Sequence, residues 1–211
     1  MIDHEKMVEF VKDFFESHDP IGTDLAHRYP FRRRFGHCLR CTKRARRISI
    51  AEGADGEIVM ISALFHDIGK AVSGSGQDHG EIGAKICDEY LASIGYNAER
   101  RARIVRIVRD HSKHADDDNT SLEEKVVSDA DLLDEVGAIS VLWDSMACAG
   151  EDEPSYIEPY NRIARTFFHL RGTFSKRLHT QNAQYILKER LSFLQNFLWE
   201  LDYELGKSEE I

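Results

Sequence analysis

Apolar residues recur at three- and four-residue spacing through most of this 211-residue chain, and only four prolines interrupt it. That period lines up side chains along one stripe of a helix, whereas a half-buried strand needs strict alternation. The pattern predicts helix after helix and no strand, an all-α protein. The first helix is expected over Asp3 to Ser17, with Val8, Phe10, Val11, Phe14 and Phe15 as its apolar stripe and the Asp19-Pro20-Ile21-Gly22 turn as its end. Further helices are expected over Arg33 to Ala51, Glu57 to Phe65, His79 to Ile94 and Asn97 to about His111, with a long one from Ser121 to about Ala147 and two more near Tyr156 to Leu170 and Thr180 to Leu205. Gly53 and Gly56 bracket a turn, Gly69 suits a C-cap, Asp78 and Asn97 suit N-caps, and Ser121-Leu122-Glu123-Glu124 reads as a capping box. Ser73 to Gly76, Ala115 to Asn119 and Gly150 to Pro154 read as loops.

A chain of this length buries one sizeable core, so a single domain over residues 1–211 is expected. Hydrophobic residues make up 42% and charged residues 31%, which excludes a mostly disordered chain. The net charge of −9 argues against a general nucleic-acid or membrane-surface binder. Basic residues are nonetheless concentrated between His27 and Arg47, where Arg28, Arg32, Arg33, Arg34, Arg40, Lys43, Arg44, Arg46 and Arg47 occur with no acidic residue among them. That run offers a local anion site beside the plainer reading of a solvated face. The start lacks a basic segment followed by an apolar run, and no stretch approaches the ~20 apolar residues that span a bilayer. A cytoplasmic protein is expected. Cys38, Cys41, Cys87 and Cys148 form no disulfide framework, and the C-x-x-C has no second ligand pair to complete a zinc site. They read as small helix-packing residues.

The chemistry-bearing residues are His37, His66-Asp67, His79, His111 and Asp131. The adjacent His-Asp pair follows the apolar run Ile58-Val59-Met60-Ile61-Ser62-Ala63-Leu64-Phe65, so two polar side chains enter the interior together. Burying them without partners costs several kcal/mol, and a metal ion offers compensation. Imidazole and carboxylate suit Mn²⁺, Fe²⁺, Ni²⁺ or Zn²⁺, whereas Mg²⁺ favours oxygen. For any one of these residues a satisfied core histidine or a helix-end aspartate is the ordinary alternative; the set as a whole weakens it.

In Gly36-His37-Cys38-Leu39-Arg40, Ala63-Leu64-Phe65-His66-Asp67-Ile68-Gly69-Lys70 and Val127-Ser128-Asp129-Ala130-Asp131-Leu132-Leu133-Asp134 the chain resembles the HD-domain superfamily, whose pattern is a His, a His-Asp pair and a distant Asp. Asp-His-Gly-Glu-Ile-Gly-Ala at 78–84 and Ile-Val-Arg-Asp-His at 107–111 are similar to further superfamily segments. The resemblance implies a compact multi-helix bundle with a metal site between its central helices, built from residues of about 30–150, with the helices of 155–205 packing on it. It implies that His37, His66, Asp67 and Asp131 bind one divalent ion (Mn, Fe, Ni, Zn or Mg). Asp129 competes for the last place, and because residues two apart on a helix point about 200° away from each other, only one of the two faces the ion. His79 and His111 are either ligands of a second ion or hydrogen-bonding and acid groups beside a single one. Lys70 corresponds to a phosphate-contacting residue; Arg34 and Arg40 stay open as phosphate clamps, and His114 as a residue of the mouth.

The implied activity is a metal-dependent phosphohydrolase acting on a nucleotide or other small phosphate ester or anhydride through an activated water, with Asp67, Lys70, His79 and His111 as its catalytic residues. The tail, from Phe168-His169-Leu170 to Glu204, is similar to that of small bacterial HD phosphohydrolases, some of which split nucleoside triphosphates into monophosphate and pyrophosphate. The Gly74-Ser75-Gly76-Gln77 segment departs from their wording. The alternatives are a dinuclear iron oxygenase of the same superfamily and a metal-binding signalling module without turnover; an RNA-binding HD protein fits the acidic balance poorly. Phe167, Phe168 and Trp199 mark either core or the interface of a homo-oligomer.

Overall fold

The computed structural model describes residues 3–18, 33–73, 78–113, 119–150 and 155–206. The chain divides into two compact units, Met1–Asp131 and Leu132–Ile211. Every regular element among the described residues is helical, as the apolar spacing predicts.

The first unit contains α1 (His4–His18), α2 (Arg34–Glu52), α3 (Gly56–Phe65), a short α4 (Lys70–Ser73), α5 (His79–Ser93), α6 (Ala98–Asp110) and α7 (Leu122–Leu132), whose last residue crosses the boundary. Its centre is α3, which packs against α2, α6, α5 and α1. A helix contacted on all sides must be apolar all round; accordingly Ile58, Val59, Ile61, Ala63, Leu64 and Phe65 are all buried. Asp55 starts α3, its carboxylate accepting from the amides of Glu57 and Ile58 at 3.2 Å each. The same carboxylate takes both Nη atoms of Arg100 on α6, at 2.8 and 2.9 Å, so one side chain caps a helix and docks its neighbour. Burial pushes the Asp55 carboxyl up, but those donors prevail and hold it below the usual range.

The second unit contains α8 (Ala138–Cys148), α9 (Ile157–Thr173) and α10 (Gln181–Glu204), around a core that includes Ile163, Phe167, Leu170, Ile186, Leu187 and Leu194. Phe167 is therefore core, whereas Phe168 and Trp199 are exposed. The long helix expected from Ser121 to about Ala147 is broken. It gives way to a 3-10 turn, Leu133–Glu135, and restarts after Gly137, whose φ of 116° no L side chain adopts easily. Arg190 on α10 donates to the carbonyls of Leu133 and Val136, the latter at 2.7 Å, replacing the helical partners lost at the break.

Two expected caps also differ. Asp78 makes no side-chain cap bond at the start of α5. Gly69 is not a left-handed C-cap; it is a contact residue, because a Cβ there would lie 2.0 Å from the carbonyl oxygen of His79 and 2.7 Å from the amide nitrogen of Gly83. The capping box at Ser121 forms as expected, with Ser121 N donating to Glu124 Oε2 at 2.7 Å and Glu124 N to Ser121 Oγ at 3.2 Å, and Asn97 caps α6. All four cysteines are free and buried. No helix among the described residues is long and apolar enough to cross a membrane. The turn at 19–22, the 74–77 segment, Arg28, Arg32 and His114 lie outside the described residues.

Candidate metal centre

Histidine and carboxylate side chains from α2, the turn after α3, α5, the end of α6 and α7 converge in the first unit. His37 stands in the first turn of α2, and Nε2 of its ring lies 3.1 Å from Nε2 of His66 and 3.0 Å from Oδ1 of Asp131. His66 Nε2 lies 3.6 Å from the same Asp131 oxygen. Asp67 Oδ2 is 3.6 Å from His37 Nε2 and 3.7 Å from His66 Nε2. Donors of one ion held at about 2.0–2.2 Å sit roughly 3.0–3.6 Å from one another; the pairs among His37, His66 and Asp131 have that spacing, and Asp67 stands at its outer edge.

Local hydrogen bonds fix which nitrogen of His66 and of His111 faces inward. His66 Nδ1 is 2.8 Å from the carbonyl oxygen of Ala63, and His111 Nδ1 is 2.7 Å from that of Val108. A carbonyl only accepts, so Nδ1 carries the proton in both rings and Nε2 faces the other donors. This is the arrangement of a metal-ligating histidine whose second nitrogen is held by the backbone. Donor chemistry and the His66 tautomer suit a divalent ion beside His37, His66 and Asp131, with Asp67 close by.

A second group lies against the first. Asp67, His79 and His111 bring ligand atoms within 4.8 Å of one another, and all three are buried. Asp67 belongs to both sets: Oδ2 faces His37 and His66, while Oδ1 lies 3.4 Å from His111 Nε2 and 2.7 Å from Lys70 Nζ. The imidazoles form a stepped row, with ring centres 5.0 Å apart from His37 to His66, 5.1 Å from His66 to His111 and 5.2 Å from His111 to His79.

Electrostatics favour ionised ligands. Burial pushes the Asp67 carboxyl up, yet His66, His111, Lys70 and His37 together hold it well below the usual range. Burial acts likewise on Asp131, and hydrogen bonds from His37 and His66 outweigh it. His66 is the counterpart: burial pushes it down, and Asp67, Cys38 and Asp131 raise it well above the ordinary histidine value.

Of the competing aspartates, Asp131 faces the histidine pair, while Asp129 is fully buried and belongs to neither donor group. Arg34 reaches in from α2, with Nη1 3.3 Å from Asp67 Oδ2, whereas the guanidinium of Arg40 lies back over Gly36. Cys41, read as a packing residue, comes close to the centre because it follows His37 by one helical turn, a spacing visible in the sequence. Its Sγ is 3.7 Å from both Nδ1 and Nε2 of His37. Equal distances put the sulfur beside the ring rather than in line with either lone pair, so it packs on the imidazole; burial pushes its thiol pKa up.

The HD domain family profile matches residues 34–135, which include all of these donors. The uncharacterized protein YpgQ of Bacillus subtilis (strain 168) is 27% identical over 174 residues, covering 80% of this chain and 82% of the relative. The solved structure of a predicted HD superfamily hydrolase from an uncultured Thermotogales bacterium has a TM-score of 0.66 at 25% identity, covering 96% of this chain and 92% of that one. Bacillus subtilis YpgQ in complex with ADP gives 0.65 at 23% identity, covering 95% and 93%. With its helices packed around α3 and its histidines and aspartates drawn to one end of them, this chain carries an HD domain over residues 34–135 and shares the fold of the HD-superfamily hydrolases.

Proposed function

We propose that the protein is a metal-dependent phosphohydrolase that cleaves a nucleotide or another small phosphate ester or anhydride. The observation that carries this reading is the inward set of Nε2 and carboxylate donors, with Nδ1 of His66 bonded to a backbone carbonyl. His37, His66, Asp67 and Asp131 would hold a divalent ion. When bound, such an ion lowers the pKa of water toward neutrality and polarises a phosphoryl oxygen. Lys70 and Arg34, both directed at Asp67, supply cationic donors beside the centre; Arg34 matches phosphate oxygens in a bidentate manner, and Lys70 acts as a point charge. Both then stabilise charge that develops on the transferring group. His111 and His79 stand beside the site, where either could pass a proton to the leaving oxygen. The cocrystal of YpgQ with ADP supports a nucleotide as the substrate class.

Asp67 turning one oxygen to each donor group favours a second arrangement, in which His79, His111 and Asp67 take another ion. With two irons this set also suits the oxygenase chemistry of the superfamily. Metal analysis of wild type beside His66→Ala separates these readings. About one equivalent of metal, lost in the mutant, together with Mn²⁺-dependent release of phosphate or pyrophosphate in a nucleotide screen, is expected. Two irons with substrate-dependent O₂ uptake would move the assignment to the oxygenase, and no metal in either protein after Mn²⁺ or Fe²⁺ is supplied would refute the centre.

A further inference from the structure

Arg44 stands on α2 two turns after His37, hence on the same face. It belongs to the basic run whose members look alike in the sequence, yet its side chain is half-buried while Lys43, Arg46 and Arg47 are exposed. Its Nη1 donates to the carbonyl oxygen of Ala130 at 2.8 Å, across 86 residues of chain. Ala130 immediately precedes Asp131, and its carbonyl is one of the four that a helix ending at Leu132 leaves without an intrahelical acceptor role. That terminus also carries the negative end of the helix dipole, an unfavourable place for the Asp131 carboxylate and a favourable one for a cation.

We infer that Arg44 is a positioning residue for the metal centre: by capping the Ala130 carbonyl it clamps the end of α7 to α2 and sets the 3.0 Å separation between Asp131 and His37. One rigid helix then carries both the first ligand and the group that places the last one. Arg44 acts through the main chain and touches neither substrate nor ion. The inference rests on the proposed role of His37 and Asp131 as ligands.

The test is Mn²⁺ titration calorimetry on the full chain, with circular dichroism to verify the fold, for wild type, Asp131→Ala, Arg44→Met, Arg44→Gln and Arg44→Lys. Groups that hold ligands in place typically alter metal affinity by about 10–100-fold. Arg44→Met is expected to bind Mn²⁺ about tenfold more weakly with its helix content unchanged, and Arg44→Lys, which keeps a cationic N–H donor, to recover most of that loss. Affinity within about twofold of wild type in folded Arg44→Met overturns the inference; should that variant not fold, the same criterion applies to Arg44→Gln. Wild type that takes up no Mn²⁺, or Asp131→Ala that binds like wild type, overturns the ligand reading and the inference with it. The expected loss in Asp131→Ala beside an unaffected Arg44→Met overturns the role of Arg44 alone.

Discussion

Asp67, Cys38 and Asp131 raise the His66 pKa well above the ordinary histidine value, outweighing the cost of burying a cation. A histidine pKa raised on folding contributes stability that is complete below the unfolded value of about 6.5 and is lost as pH rises through the raised value. An ion needs the deprotonated ring, so it competes with that proton. Apparent Mn²⁺ affinity is expected to rise as pH increases from about 6.5 toward the raised value, with proton release, seen in calorimetry in buffers of different ionisation enthalpy. Affinity that is flat across this interval would contradict the assignment of His66. His66 and Asp67 were legible in the sequence because a long apolar run delivers them into the core. The resemblance favoured Asp131 over Asp129, and Asp131 Oδ1 lies 3.0 Å from His37 Nε2. Arg34 and Arg44 were not separable from the other arginines, since what distinguishes them is a contact with Asp67 or Ala130, far away in the chain.

Among the elements, α4, α5 and α6 meet backbone to backbone. A Cβ on Gly69 would collide with the carbonyl of His79, and one on Gly80 would lie 2.4 Å from the carbonyl oxygen of Arg109, two residues before His111. Main-chain atoms cannot move aside cheaply. Gly80→Ala is expected to lower stability by about 1–3 kcal/mol in denaturant unfolding and to weaken metal binding, because it displaces His79 and His111 together. Gly172, within α9, has nothing within 4 Å of its would-be Cβ. Gly172→Ala is expected to act in the opposite direction, stabilising by about 0.5–1 kcal/mol. Sequence pattern located the helices well but joined α7 to α8. A lone glycine inside an apolar periodicity does not announce a break, and the group that sustains this one, Arg190, arrives from α10.

At the scale of the whole molecule, the donors come from α2, from the turn after α3 and from α7, separated in the chain and brought together only by folding. A ligand that binds the folded chain alone stabilises it by mass action, by about 2.7 kcal/mol at a hundredfold excess over its Kd. Mn²⁺ is expected to raise the melting temperature in a concentration-dependent way, reversed by chelator, and to slow amide exchange in α2, the 66–70 turn and α7. Protection confined to regions away from these would contradict the centre. The rings of His66 and His111 are each bonded to a carbonyl three residues earlier in their own segments. Their orientation is thus a by-product of helix formation, and the entropy of immobilising them is already lost before any ion arrives. Ion capture at this centre would then leave these two rings where they stand and would require loss of the His66 proton and of water from the cation.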